Sequence, residues 1–184
     1  MVWLKGLRED KKAQTRRRIS GVATRLFLAH GYDAVTTAQV AEAAEVSVAT
    51  LFNYFPTKEN LVFDEDHALE TALVEAVATR SASILDALRQ AVLDGPYLRF
   101  ARDPAYRPFF ELIHSTPALS THARSMATRY EQAIAGAMRE IVSEAEAQAI
   151  AHYVIEALFA AQRSAQPTET FNTLIDLMKK GFSQ

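Results

Sequence analysis

The chain has 184 residues, 49% of them hydrophobic and 23% charged, with a formal net charge of −2. That mixture belongs to a globular protein of one domain, or of a small head on a larger body, and not to a disordered or uniformly nucleic-acid-coating one. The absence of cysteine excludes a disulfide framework and a thiolate zinc site, and no apolar run approaches the ~18–20 residues of a membrane span.

The first residues carry Lys5, Arg8, Glu9, Asp10, Lys11 and Lys12, too much charge for a signal peptide, so a soluble cytoplasmic protein is expected. The average charge hides an asymmetry. Residues 1–60 hold nine Lys and Arg against six Asp and Glu, while residues 61–184 hold eleven against sixteen. A basic head on an acidic body suits attraction to phosphate at one end; a merely solvated basic helix face is the alternative.

In chain order, the first ten residues read as a loosely held extension anchored by Trp3. From about Lys11 the pattern is helical, with Ile19, Val22, Ala23, Leu26 and Phe27 on one stripe. Lys11, Lys12, Arg16, Arg17 and Arg18 then crowd the first turns, where basic charge opposes the macrodipole and a phosphate would relieve the conflict. Gly31 is a natural C′ residue. Thr36-x-x-Gln39 forms a capping box for a short helix whose inward face is Val40, Ala41 and Ala44. Ser47 caps a second helix, Val48 to Phe55, with Leu51 and Phe55 inward and Val48, Ala49, Phe52 and Asn53 mostly outward. Pro56 stops it, and Thr57 caps the next, with Lys58 again opposing the dipole.

The run Leu26-Phe27, Gly31-Tyr32, Thr36-Thr37, Val40-Ala41, Ala44, Val46-Ser47, Thr50-Leu51-Phe52-x-Tyr54-Phe55 and Lys58-Glu59-x-Leu61 resembles the N-terminal region of the TetR family of transcriptional regulators. The likeness spans roughly residues 15–61. It implies that the Ser47–Phe55 helix enters the major groove. Phosphate contacts then fall to Thr36, Thr37, Thr50, Tyr54 and Lys58, and much of the affinity to Arg16, Arg17 and Arg18. Base edges fall to Ser47, Val48, Ala49 and Asn53, Asn53 suiting adenine and the small apolar groups a thymine methyl. Capping remains the other reading of Thr37, and packing that of Tyr54. The sequence departs from the family at Glu45, where glycine is common at the αL position of the turn, at Ala49, and at Phe52, where tyrosine is common.

Beyond Leu61 the sequence is alanine-rich and helical. Lys58 to about Thr79 reads as one long helix, and Ser81 or Ser83 opens another that ends at Asp94-Gly95-Pro96. Tyr97 to Phe110 reads as a loop-like patch of aromatics and arginines. Ser115–Leu119 precedes a long helix to about Val142. Ser143-x-x-Glu146 is a second capping box, starting a helix to about Arg163, and the last runs Thr168 to Phe182. The apolar faces Ile150, Tyr153, Val154, Ala157, Leu158, Ala161 and Phe171, Leu174, Ile175, Met178 are, by the resemblance, a four-helix dimer interface; an intramolecular core is the alternative. Candidate ligand contacts are Phe100, Tyr106, Phe109, Phe110, His114, Met126, Tyr130, His152 and Tyr153. Ser115–Leu119 is similar to a segment of a TetR subgroup that senses acyl-CoA-like or lipid-derived molecules, which implies an apolar effector.

Asp64, Asp66 and His67 cluster, but Asp66 leaves a shared helix face, so a metal site is not expected, and no phosphate loop, nucleophile elbow or HExxH appears. The expectation is an all-α protein, not an enzyme and without a cofactor. A three-helix helix-turn-helix head would occupy 11–57, and a helical ligand-binding and dimerisation body 58–184. As a homodimer it would bind a pseudo-palindrome in double-stranded DNA as a repressor and be released by a small molecule. The alternative is a helical small-molecule-binding or scaffold protein whose head no longer binds DNA.

Overall fold

The computed structural model describes residues 2–63, 66–81 and 83–182, apart from the side chains of 2–9, 66, 67, 96, 97, 99 and 182. Trp3, Tyr97, Arg99 and the Asp64, Asp66, His67 cluster therefore lie outside the described side chains. The elements are α1 (Val2–His30), α2 (Thr37–Ala43), α3 (Val48–Tyr54), a 3-10 turn (Glu59–Leu61), α4 (Asp66–Ala78), α5 (Ile84–Asp94), α6 (Pro96–Arg102), a second 3-10 turn (Pro104–Tyr106), α7 (Arg107–Ser115), α8 (Pro117–Met138), α9 (Glu144–Gln162) and α10 (Pro167–Phe182). The fold is all-α. No helix among the described residues is long and apolar enough to cross a membrane.

The chain divides into two compact units. One comprises Met1–Asp64 with Leu112–Leu119, the other Glu65–Glu111 with Ser120–Gln184. In the first, α1 packs on α2 and on the Glu59–Leu61 turn, and α2 on α3. Ile19, Ala23, Phe27, Val40, Leu51, Phe55 and Leu61 are its buried centre. Ala41 and Ala44, both buried, add almost no bulk and let the short helices approach closely.

In the second unit α10 packs on α9, α5 and α6, and α4 on α5. Ser83 caps α5 by accepting the Asp86 amide. Ser143 and Glu146 cap α9 reciprocally, which satisfies amides that the first helical turn otherwise leaves without partners. Two ion pairs join α5 to α10: Lys179 Nζ lies 2.7 Å from Asp86 Oδ1, and Arg89 pairs with Asp176. Tyr153 donates to the Leu174 carbonyl at 3.1 Å, holding α9 to α10.

Four expectations are corrected. The first residues are not a loose extension, since α1 is helical from Val2. The long helix from Lys58 is broken, because Leu61 and Val62 bond three residues back, to Lys58 and Glu59, and close a 3-10 turn before α4 starts at Asp66. The aromatic patch at 97–110 is mostly helical. Pro96 and Pro104 are not breakers there but stand in the first turns of α6 and of the second 3-10 turn, where proline lacks only an amide that has no helical partner. Lastly, Ile150, Val154, Ala157, Leu158, Ala161, Phe171, Ile175 and Met178 are buried within the single chain. That apolar face is intramolecular core, because packing α9 against α10 within one chain already removes it from water.

Candidate nucleic-acid interface

The segment Thr36–Phe55 builds its shape from local chemistry. Thr36 Oγ1 accepts the Gln39 amide at 3.2 Å and Gln39 Oε1 accepts the Thr36 amide at 2.8 Å, the reciprocal cap expected from the sequence. At the other end of α2 the Val46 amide reaches the Ala41 carbonyl at 2.9 Å, and the Glu45 amide reaches Glu42 at 3.0 Å. This is a Schellman closure, which needs a left-handed residue at C′. Glu45 supplies it with φ 53°. Gly31 plays the same part after α1 with φ 87°, without the steric cost that a Cβ carries there.

Ser47 then caps α3, its Oγ accepting the Thr50 amide at 3.0 Å and sharing a 2.8 Å hydrogen bond with Thr50 Oγ1. Phe55 ends the helix with its amide on Leu51 and its φ at −135°. Leu51 and Phe55 are fully buried, so α3 is pinned by one side. The other side faces water: Val48 is 42% and Phe52 43% exposed, and Ser47, Ala49 and Asn53 are exposed beside them. Thr50 and Tyr54 are half-buried at the edges, Thr36 is exposed and Thr37 half-buried at the start of α2.

Basic residues surround this helix in two different ways. Arg17 and Arg18 are exposed on α1, with Arg18 3.8 Å from the Glu45 carboxylate. Arg16 instead turns inward. Its Nη1 donates to the Tyr54 carbonyl at 2.9 Å, and its guanidinium lies 4.6 Å from the centre of the Phe55 ring. It thus satisfies a C-terminal carbonyl of α3 and fixes that end to α1. Lys58 is similarly engaged. Its Nζ donates to the Tyr32 carbonyl at 2.6 Å and lies 4.1 Å from the Tyr32 ring and 5.5 Å from that of Phe27. Burial lowers the Lys58 pKa, against the upward pull of Asp33 and Glu59. The Tyr32 hydroxyl donates to Glu59 Oε1 at 2.9 Å, and burial, aided by that bond, pushes its phenol up, so it remains a donor.

The macrodipole argument for phosphate at Lys11–Arg18 is therefore corrected. With α1 starting at Val2, those residues stand within a long helix and not at its N-terminus. The conflict ascribed to Lys58 is resolved inside the chain by Tyr32. Phe27 and Tyr32, the seat of Lys58, both lie in the motif, but no spacing rule links residues 26 or more positions apart to it.

Of the candidate ligand residues, His114 belongs to the first unit and the others to the second. Tyr106, His114 and His152 are exposed, whereas Met126 and Tyr130 are buried. Phe100 stacks on Tyr106 at 4.8 Å and Phe109 meets Phe110 edge-on at 5.8 Å. The Tyr153 hydroxyl is spent on Leu174, and His152 Nδ1 lies 3.1 Å from Glu131 Oε1. A groove of about 280 Å³ between α8 and α9 is lined by Thr128, Glu131, Gln132, Ala135, Gly136, Arg139, Glu144, Ala147 and Gln148. It shares no residue with that set.

Residues 19–64 match the family model of bacterial regulatory proteins of the tetR family, and residues 82–184 match that of the MftR C-terminal domain. The HTH-type transcriptional regulator TcmR of Streptomyces glaucescens is 39% identical over 77 residues, which are 42% of this chain and 34% of TcmR. The regulator MftR of Mycobacterium tuberculosis is 29% identical over 128 residues, 68% of this chain and 64% of MftR. The chain thus spans between a third and two thirds of the length of these relatives. Among solved structures, the SmeT–triclosan complex superposes with a TM-score of 0.67 at 13% identity, covering 89% of each chain.

Proposed function

The chain belongs to the TetR family of bacterial regulatory proteins, whose members are transcription factors and not enzymes, and from that premise we propose that it represses nearby genes by covering an operator as a homodimer. The observation that carries this reading is α3 itself: capped by Ser47, pinned inward by Leu51 and Phe55, and exposed along its whole outer face. Such a helix is held rigidly and left free to enter a groove.

In this reading residues 11–57 are the DNA-binding domain and 58–184 the ligand-binding and dimerisation domain, working in the cytoplasm. Arg17 and Arg18, with the hydroxyls of Thr36, Thr37, Thr50 and Tyr54, meet phosphate, and Val48, Ala49 and Asn53 meet bases. Arg16 and Lys58 act mainly by holding α3 and the turn after it. The dimer uses the outer faces of α9 and α10, where Leu177 is 55% exposed, since the inner faces are occupied. The effector is a small apolar molecule, a class that fits the triclosan bound by SmeT and the apolar surroundings of the buried Met126 and Tyr130. Its binding favours a body whose heads have the wrong separation.

A band-shift against the DNA upstream of the chain's own gene tests this. Preferential, salt-sensitive binding is expected. No preference over random DNA would instead favour a helical small-molecule-binding protein whose head has lost DNA.

A further inference from the structure

The outward face of α3 is unusual in what it lacks. Between Ser47 and Phe55 there is no arginine, lysine or glutamine, so the strongest guanine contact cannot come from this helix. The Ser47 and Thr50 hydroxyls are bonded to each other, and Ser47 also holds the Thr50 amide. Apart from Asn53, and the one O–H that this hydroxyl pair leaves undonated, the exposed side chains of α3 are apolar. Val48 and Phe52 stand four residues apart, hence on one helix face, and are 42% and 43% exposed.

We propose that Val48 and Phe52 form an apolar reading surface for the C5-methyl groups of thymine, with Asn53 reading adenine beside them, so that the operator half-site is A·T-rich under α3. The proposal rests on the DNA-binding reading and adds what the helix selects. In the major groove, thymine's methyl is the one apolar group that the base edges offer, and burying it against Val48 and Phe52 removes apolar surface from water on both sides. Charge complementarity supports a DNA occupant: exposed Lys11, Lys12, Arg17 and Arg18 stand on α1 in the same unit and suit the backbone, which positions without specifying. The phenyl ring at 52, without a hydroxyl to seek phosphate or water, favours the methyl.

The test uses the full chain and a duplex that it selects from a random-sequence pool, prepared once with thymine and once with deoxyuridine throughout. Uracil keeps every phosphate and Watson–Crick contact and removes only the methyl. Each lost methyl contact weakens binding about fourfold, so roughly tenfold or more is expected for two or more contacts, and A·T pairs should dominate the selected half-sites. In a V48A/F52A chain the thymine duplex should bind about tenfold more weakly and the thymine–uracil difference should nearly vanish, which separates methyl readout from any change in duplex shape. Because the uracil comparison is made on the unaltered chain, no folding defect can imitate it. Equal binding to both duplexes, or selection of G·C-rich half-sites, overturns the inference and leaves DNA binding standing. Selection of no sequence at all overturns the DNA-binding reading beneath it.

Discussion

Glu45 occupies the left-handed C′ position of a Schellman closure with φ 53°, which costs a residue bearing a Cβ roughly 1–2 kcal/mol. Its ion pair with Arg18 spans 3.8 Å between exposed groups and offsets little of that. Glu45→Gly is therefore expected to raise the melting temperature by several degrees, and a fall would contradict the strain. Lys58 gives the opposite case. If it served phosphate alone, Lys58→Ala would leave stability untouched. With its ammonium on the Tyr32 carbonyl and over two rings, the substitution is expected to cost about 1–2 kcal/mol, read as a lower melting temperature without DNA. Arg16→Ala should behave likewise, through the Tyr54 carbonyl and the Phe55 ring. The capping roles of Thr36 and Ser47 and the inward Leu51 and Phe55 were legible in the sequence, because each depends on neighbours within one or two turns. The partners of Arg16 and Lys58 were not, because they lie 38 and 26 residues away and only the folded head brings them together.

Among the elements, proline was the most misleading signal. Pro96, Pro104, Pro117 and Pro167 each stand at the start of a helix or 3-10 turn; the boundary at Pro117 was legible, but the density of prolines and aromatics at 97–110 read as a loop. Periodicity served α5 and α9 well, since both have a cap in register with an apolar stripe. It could not tell an intramolecular face from a dimer face, as both need the same residues. The α5–α10 contact rests on charge that sequence spacing does not reveal. Hydrogen bonds from Lys179 and then Ser83 hold the Asp86 carboxyl below its usual range. Because the folded-state value is depressed, the stabilisation is present above the unfolded value near 4 and is lost as pH falls through the folded value. Asp86→Asn should destabilise at pH 7, by under about 1 kcal/mol for so exposed a pair, and the difference should disappear in acid. A gap that persists unchanged below the folded pKa would show that the ion pair is not its source.

On the scale of the whole molecule, the all-α head and body followed from composition, helical period and the fixed points of residues 15–61, while the assembly did not. With the inner faces of α9 and α10 filled, the proposed dimer pairs through their outer faces, including Leu177. Sedimentation should give a dimer at micromolar concentration and Leu177→Glu should shift it toward monomer; a wild-type monomer would exclude the proposed pairing. The central claim is that the capped α2–α3 pair reads DNA from such a dimer. A titration of the selected operator, followed by fluorescence anisotropy across a salt series, tests it most directly. Two chains per duplex are expected, with log affinity falling with log salt at a slope of about −4 or steeper. One chain per duplex, or affinity indifferent to both salt and sequence, would contradict it.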